Sequence, residues 1–394
     1  MKSKQMATTC IHAGRRAPVR NRPEATPIYQ TSVFTFADLD DVERFFAGEQ
    51  GTYLYSRYGN PNCSVVEAAI AAMEGGADAV VTSSGMAAIL CALLAFAKAG
   101  DHVLCSDEIY GATATLLQTE LQKLGVECSF VSCHQEENVI AAIRPNTRAL
   151  FAEVVTNPLI SVVDIGMLAR IAHERGAKLI VDNTFTTPYV VRPLEKGADL
   201  VIHSVTKYLN GHNDVVAGVV VGNDPAVMDD ARQRMKLMGL NLGPFAAWLV
   251  ERGLKTFALR MRQHCANAEK VARFLQSHPM VSKVYYPLLE SHRTFAVAER
   301  LGLHAGGGML SFVTSEETEK LNRMFRAMEM IVIAPSLAGI ATTMSHPLRT
   351  SHRLLAKEKQ RELGITNGLI RLSVGIEAPE DIIADLAKGL AAME

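Results

Sequence analysis

Seven cysteines occur in 394 residues, at positions 10, 63, 91, 105, 128, 133 and 265, an odd number with no CxxC pair. This usage provides neither a disulfide framework nor a tetrahedral zinc site, and it suits a reducing, cytoplasmic compartment. The longest apolar run, Met86 to Ala97, is 12 residues long and too short to span a bilayer. The opening MKSKQMATTCIHAGRR lacks the apolar core of a secretory signal. Neither sign of charge dominates: 40 Lys and Arg against 41 Asp and Glu give a net charge of −1. Such a balance carries no basic footprint for nucleic acid or an anionic membrane. The 12 histidines include no HExxH or other ligand spacing, so no metal is expected. No GxGxxG is present, which removes the dinucleotide fingerprint. Repeats, low-complexity tracts and long charge runs are also missing.

What is present is an ordinary globular composition, 48% hydrophobic and 21% charged. The length suits two or three domains. Residues 1–60 show no clear period and many turn residues, which reads as an extended arm that must pack on something else. From Ser64 apolar residues recur at helical spacing up to Gly75-Gly76. Short apolar strands then alternate with helices. The expected strands are Asp78–Thr82, His102–Cys105, Glu127–Val131, Ala149–Val154, Lys178–Val181, Leu200–His203 and Val215–Val221. Helices are expected over Met86–Ala97, Thr113–Lys123 and Asp164–Arg175. This pattern predicts an α/β fold with a mainly parallel, seven-stranded sheet covered on both faces. Beyond Pro244 a long helix over Phe245–Ser277 leads into short strands (Val281–Tyr286, Gly308–Val313, Ile331–Ala334 and Leu369–Val374). These alternate with helices Glu317–Met328 and Pro379–Met393, giving a smaller α+β domain. The divisions are therefore 1–60, 61–244 and 245–394.

Ligands of such sheets sit at the carboxyl ends of the strands. Three features fall there. Thr82-Ser83-Ser84-Gly85-Met86 closes a strand and opens a helix, leaving amides and a positive dipole end suited to a phosphate. Asp182 ends the apolar strand Lys178–Val181, well placed for a cationic ligand atom. One strand later comes Lys207, flanked by Ser204 and Thr206, whose hydroxyls also suit a phosphate. A desolvated lysine has a lowered pKa and attacks carbonyls. Alone, each has a plainer explanation: a serine N-cap, an Asx turn and a snorkelling lysine. Together they describe a ligand with a phosphate, a basic ring nitrogen and an aldehyde. Pyridoxal 5′-phosphate (PLP) has those three handles. The Ser204-x-x-Lys207 spacing also matches a serine-acylase pattern, but the Ser-Asp-Asn and Lys-Thr-Gly that should accompany it do not occur.

Across its length the chain resembles the Cys/Met-metabolism family of PLP enzymes, which includes cystathionine γ-synthase, cystathionine γ-lyase and methionine γ-lyase. The resemblance rests on Ile11-His12-Ala13-Gly14, Tyr55-Ser56-Arg57-Tyr58-Gly59-Asn60-Pro61, Ser84-Gly85-Met86-Ala87-Ala88 and Tyr110-Gly111. It continues through Thr156-Asn157-Pro158, Val181-Asp182-Asn183-Thr184, His203-Ser204-Val205-Thr206-Lys207-Tyr208 and Gly308-Met309-Leu310-Ser311-Phe312. Ser336-Leu337 and Arg371-Leu372-Ser373-Val374-Gly375-Ile376-Glu377 complete it. It implies the aminotransferase-like architecture called fold type I. It also implies that Lys207 binds the cofactor aldehyde and later shuttles protons, and that Asp182 keeps the ring nitrogen protonated. Tyr110 would stack on the ring and serve as an acid/base near the leaving group, and Asn157 would approach the 3-hydroxyl. Arg371, aided by Ser336, would clamp the substrate carboxylate. Tyr55 and Arg57 would reach the phosphate of a neighbouring subunit, so the resemblance implies an active dimer, usually paired into a homotetramer.

The substrate's far end is read from three positions. Cystathionine-handling members often carry acidic residues where this chain has Leu54 and Pro335, and a buried cation without a partner is costly. Methionine γ-lyases usually carry a cysteine where this chain has Ala112, and some γ-synthases share the proline. The expected reaction is γ-elimination on methionine-like amino acids, giving a thiol, ammonia and a 2-oxo acid. The alternatives are γ-replacement on an O-acylhomoserine, cystathionine γ-lysis and, against the motifs, transamination.

Overall fold

The computed structural model describes residues 21, 23–49, 51–353 and 357–394. Cys10 and the Ile11–Gly14 motif lie outside them. Seven strands form the larger sheet: β1 (Asp78–Thr82), β2 (His102–Ser106), β3 (Glu127–Val131), β4 (Thr147–Glu153), β5 (Lys178–Asp182), β6 (Leu200–His203) and β7 (Gly218–Gly222). Their order is β1-β7-β6-β5-β4-β2-β3. Only β7 runs antiparallel to its neighbours, β1 and β6.

Successive strand residues supply opposite faces. Val80, Val103, Ile180, Ile202 and Val220 join one core cluster together with Ala88 and Leu93 of the helix Gly85–Leu94. Val81, Leu104, Leu179, Val201 and Val221 join the other, with Val66 and Ile70 of the helix Pro61–Glu74. Both faces are thus covered, as the uninterrupted apolar strands require. Five strands form a second sheet: β8 (Lys283–Tyr285), β9 (Met309–Val313), β10 (Val332–Ile333), β11 (Thr343–Ser345) and β12 (Leu369–Ser373), in the order β10-β11-β12-β9-β8. Its core of Leu310, Phe312, Ile370 and Leu372 packs with Leu386 and Leu390 from the helix Pro379–Ala391.

Several boundaries differ from expectation for local reasons. The first long helix begins at Pro61, not Ser64, because Asn60 caps it: its side chain accepts from the Asn62 N–H at 3.0 Å. β7 begins at Gly218, because Ala217 is engaged by Thr206, whose N–H donates to the Ala217 carbonyl at 3.1 Å. The stretch Phe245–Ser277 is two helices, Pro244–Leu254 and Phe257–Ser277. At the break, Arg260 sends its guanidinium into the carbonyls of Tyr208 (2.7 Å), Leu209 (3.1 Å) and Gly253 (2.9 Å). The segment expected as one helix over Thr113–Lys123 is a short helix, Gly111–Thr115, continuing into a π-helical turn, Leu116–Leu121. β11 has only three residues and left no readable period.

The described part of the arm contains a helix, Leu39–Phe46, that buries no residue within this chain. Leu39 is 81% and Phe46 69% exposed. The arm is tethered near its base, where Trp248 Nε1 donates to the Thr26 carbonyl at 3.0 Å and Asn62 Nδ2 to the Pro27 carbonyl at 2.9 Å. Among the described residues no helix is long and apolar enough to cross a membrane. The six described cysteines are free thiols.

A buried polar cluster fixes the ends of β5 and β6. Glu74, fully buried, accepts from Asn183 Nδ2 at 2.9 Å and lies 2.6 Å from His203 Nε2. Glu74→Ala leaves both groups without this partner inside the protein, so it should cost about 3 kcal/mol. The expected result is a lower urea midpoint with an unchanged slope. A midpoint equal to wild type would show that the cluster does not anchor the strand ends.

Candidate active site

The carboxyl ends of β1, β2, β4, β5 and β6 lie on one side of the larger sheet, and the loops leaving them carry most of the residues expected to act. At the end of β1, Ser84 Oγ accepts from the Ala87 N–H at 3.1 Å and the Ser84 carbonyl from the Ala88 N–H, also at 3.1 Å. The ordinary N-cap is therefore real. It satisfies the third and fourth amides of the helix and precludes nothing at the first two, Gly85 and Met86. A Cβ on Gly85 would stand 2.8 Å from the Ser204 Cβ. Only glycine lets the β1 loop and the β6 loop close into one cradle.

Asp182 ends β5, and its Oδ1 accepts from the Thr184 N–H at 2.9 Å. Thr184 Oγ1 in turn accepts from the Ser204 N–H at 2.9 Å, joining the ends of β5 and β6. The Asx turn is thus present. Burial pushes the Asp182 carboxyl above its usual range, against the bonds from Thr184 and the nearby His203. A cation at this point would reverse that shift.

Lys207 follows β6. Its amine donates to Ser336 Oγ at 3.1 Å. Burial, and then the Arg371 charge, lower its pKa from the ordinary lysine value. The loop is held from behind by Arg260, itself held down to about 10 by burial. Thr206 differs from Ser204 in its hydroxyl, which accepts from the Ala217 N–H at 2.9 Å and donates to the Ala217 carbonyl at 3.2 Å.

Arg371, on β12, is 4% exposed, and burial brings its guanidinium down to about 10. Its Nη1 donates to Asn157 Oδ1 at 2.8 Å. Among the described residues no carboxylate pairs with it. Tyr110 opens the helix Gly111–Thr115 and is 43% exposed. Its N–H donates to Glu153 Oε1 at 2.6 Å. Ala112 lies within that helix, and Pro335 is an exposed neighbour of Ser336.

Gly85, Met86, Asp182, Ser204, Thr206, Lys207, Tyr110 and Asn157 therefore lie at the carboxyl ends of the larger sheet, where Ser336 meets Lys207 and Arg371, from the second sheet, meets Asn157. Tyr55, Arg57 and Leu54 are placed elsewhere. Arg57 Nη1 donates to the Lys236 carbonyl at 2.8 Å, and with Tyr55 it lines an open concavity of about 370 Å³ alongside Thr31, Ser32 and Asn241. Leu54 borders a second, of about 670 Å³. Neither is lined by a residue of the Lys207 site. Thr184 and Glu153 were missed by sequence reasoning. Asp-Asn-Thr carried a signal for the first; a carboxylate at the end of β4 carried one for the second.

A model of the Cys/Met metabolism PLP-dependent enzyme family matches residues 7–391. The chain belongs to this family. The enzyme is 43% identical to the L-methionine gamma-lyase of Porphyromonas gingivalis over 388 residues, covering 98% of this chain and 96% of that one. It resembles the structure of cystathionine gamma-lyase from Lactobacillus plantarum complexed with L-serine, with a TM-score of 0.87 and 36% identity over 93% of each chain. A Campylobacter jejuni structure described as an O-acetylhomoserine (thiol)-lyase holds N′-pyridoxyl-lysine-5′-monophosphate. It matches with a TM-score of 0.87 and 32% identity over 93% of this chain and 95% of that one. The fold is fold type I and the cofactor of the enzyme is PLP. The glycine cradle, the amine of depressed pKa and a carboxyl that no lysine or arginine pairs with among the described residues all fit that group. Among the described residues no cluster of ligands could hold a metal ion.

Proposed function

We infer that the enzyme performs γ-elimination on methionine-like amino acids, releasing a thiol, ammonia and a 2-oxo acid. One observation carries the reading. The guanidinium of Arg371 is buried with no carboxylate paired to it among the described residues, and its charge is felt by the Lys207 amine. A receptor for the carboxylate of an amino acid and the amine that would hold the cofactor aldehyde are thus close to each other. Bound PLP supplies an electron sink for carbanion charge.

The chain's own groups supply the rest. Arg371 takes the substrate carboxylate in its planar fork, steadied by Asn157 and aided by Ser336. Asp182 offers its charge to the protonated ring nitrogen. The amides of Gly85 and Met86, with the hydroxyl of Ser204, receive the phosphate, and Thr206 closes the loop behind them. Lys207 would take the α-proton and then a β-proton, the Cβ–H pair forming a double bond as the Cγ–S bond breaks, while Tyr110 would deliver a proton to the leaving sulfur.

Residues 61–244 act as the PLP-binding unit, 245–394 as the smaller unit and 1–60 as the arm. The exposed apolar face of Leu39–Phe46 supports a homo-oligomer, a tetramer built of two active dimers, in the cytoplasm. Tyr55, Arg57 and Leu54, placed away from their own chain's Lys207, would serve the neighbour. Arg57→Ala should weaken cofactor retention by about 10-fold, one charge-assisted contact to phosphate. Titration of the apoenzyme with PLP measures this, and an unchanged affinity would speak against a shared site.

Leu54 and Pro335 present no anion to the substrate's distal end, so methionine is favoured over cystathionine. Ala112 favours a second reading, γ-replacement on an O-acylhomoserine. Purified enzyme is incubated separately with methionine, with cystathionine, and with O-acylhomoserine plus cysteine. Thiol and 2-oxo acid from methionine, with a lower kcat/KM for cystathionine, are expected. Equal values for those two would refute the apolar-pocket argument. Cystathionine formed in the third tube, with methionine inert, would establish the second reading.

A further inference from the structure

Glu153, at the end of β4, is a buried carboxyl to which the chemistry above gives no task. It closes β4 in register with Asp182 on β5. In a parallel pair, residues in register project from the same face, so the two carboxyls stand side by side at the floor of the site. Glu153 is 6% exposed. Its Oε1 accepts from the Tyr110 N–H at 2.6 Å, at the residue where the β2 loop turns into the helix Gly111–Thr115. On the other side of that turn, a Cβ on Gly111 would lie 2.8 Å from the Ser351 carbonyl. The loop is thus pinned from below by one hydrogen bond and bounded from above by backbone.

We propose that Glu153 is a positioning residue: by accepting from the Tyr110 amide beside Asp182, it sets where the Tyr110 ring lies over the cofactor. This rests on the roles assigned to Tyr110 and Asp182 above.

Two carboxylates this close cannot both ionise without a large penalty. Asp182 has the Thr184 donors and, with PLP bound, the ring nitrogen cation, so the charge belongs there. Glu153 also faces Glu108 from the β2 loop and, at longer range, the Arg371 guanidinium from β12. Burial and then the Asp182 charge push its carboxyl well above the usual range, against backbone bonds from Tyr110 and Asn157. A neutral acceptor is all the Tyr110 amide needs.

Glutamine keeps that acceptor, and alanine removes it. In the holoenzyme, Glu153→Gln should keep kcat within about 3-fold and leave the pH midpoint of the cofactor's visible absorbance unchanged. Glu153→Ala should lower kcat by about 10- to 100-fold, the size of effect a displaced reacting group produces. It should also speed hydrogen exchange at the Tyr110 amide by about 10-fold. Wild-type exchange and kcat in Glu153→Ala would overturn the proposal. So would a glutamine variant as slow as the alanine one with a shifted absorbance midpoint, since the charge rather than the acceptor would then be what matters. If the alanine variant does not fold, the glutamine variant decides by the same two measurements. Lys207 is intact in both, so failure here is distinct from failure of the cofactor assignment.

Discussion

Lys207→Ala should give a folded protein that turns over at least about 10⁴-fold more slowly than wild type, the upper range for a positioned proton-transfer group. Two losses coincide in this one substitution: the amine that bonds the cofactor and the base that moves substrate protons. The fold should survive, because the side chain's hydrogen bond within the chain is to Ser336, while the loop's main chain is held independently by Arg260. Borohydride should attach PLP irreversibly to the wild type and not to the variant. Far-ultraviolet dichroism and the unfolding midpoint should be close to wild type. Turnover within about 10-fold of wild type would remove Lys207 from the chemistry.

Arg371→Ala should lower kcat/KM by about 10²- to 10³-fold, the cost of deleting a buried, hydrogen-bonded charge from a charged pair. It has a second consequence, in pH. Burial lowers the Lys207 pKa first, and the Arg371 charge lowers it further. Removing that charge raises the lysine's pKa, so at a given pH less of the amine is neutral. The midpoint for uptake of PLP by the apoenzyme should therefore move to higher pH. Arg371→Lys separates the two effects: it keeps a positive charge, so the midpoint stays near wild type, while the lost planar fork still weakens carboxylate binding. A midpoint that stays in place in Arg371→Ala would mean that the two cations do not sense each other.

The larger sheet was readable because β4, β5 and β6 are apolar on both faces, a pattern that a half-exposed strand does not produce. Asp182 and Lys207 were readable for a related reason, as polar residues placed where such runs stop. Less legible were contacts made across long sequence separations. Asn157 and Arg371 are 214 positions apart. Without the family resemblance nothing local marks them as partners. Glu153 was hidden by its own strand: a carboxylate at the end of Ala149–Val154 looks like the edge of an element rather than the floor of a site. The division of the helix at Lys255-Thr256 was invisible because the cause, Arg260 reaching into the Tyr208 and Leu209 carbonyls, lies in three-dimensional packing. The helix Leu39–Phe46 was overlooked although Leu39, Val42, Phe45 and Phe46 recur at helical spacing, because two turns among many turn residues are too short to stand out.

The reversed direction of β7 has a mechanical meaning. Every other return within the larger sheet passes over a helix, but the segment between His203 and Gly218 comes straight back alongside the strand it left. The reactive amine therefore stands on an arch with both feet in interior strands of the sheet. Its travel between one carbon and the next is confined to rotation about its own methylene bonds, like a jib turning on a footing that does not move.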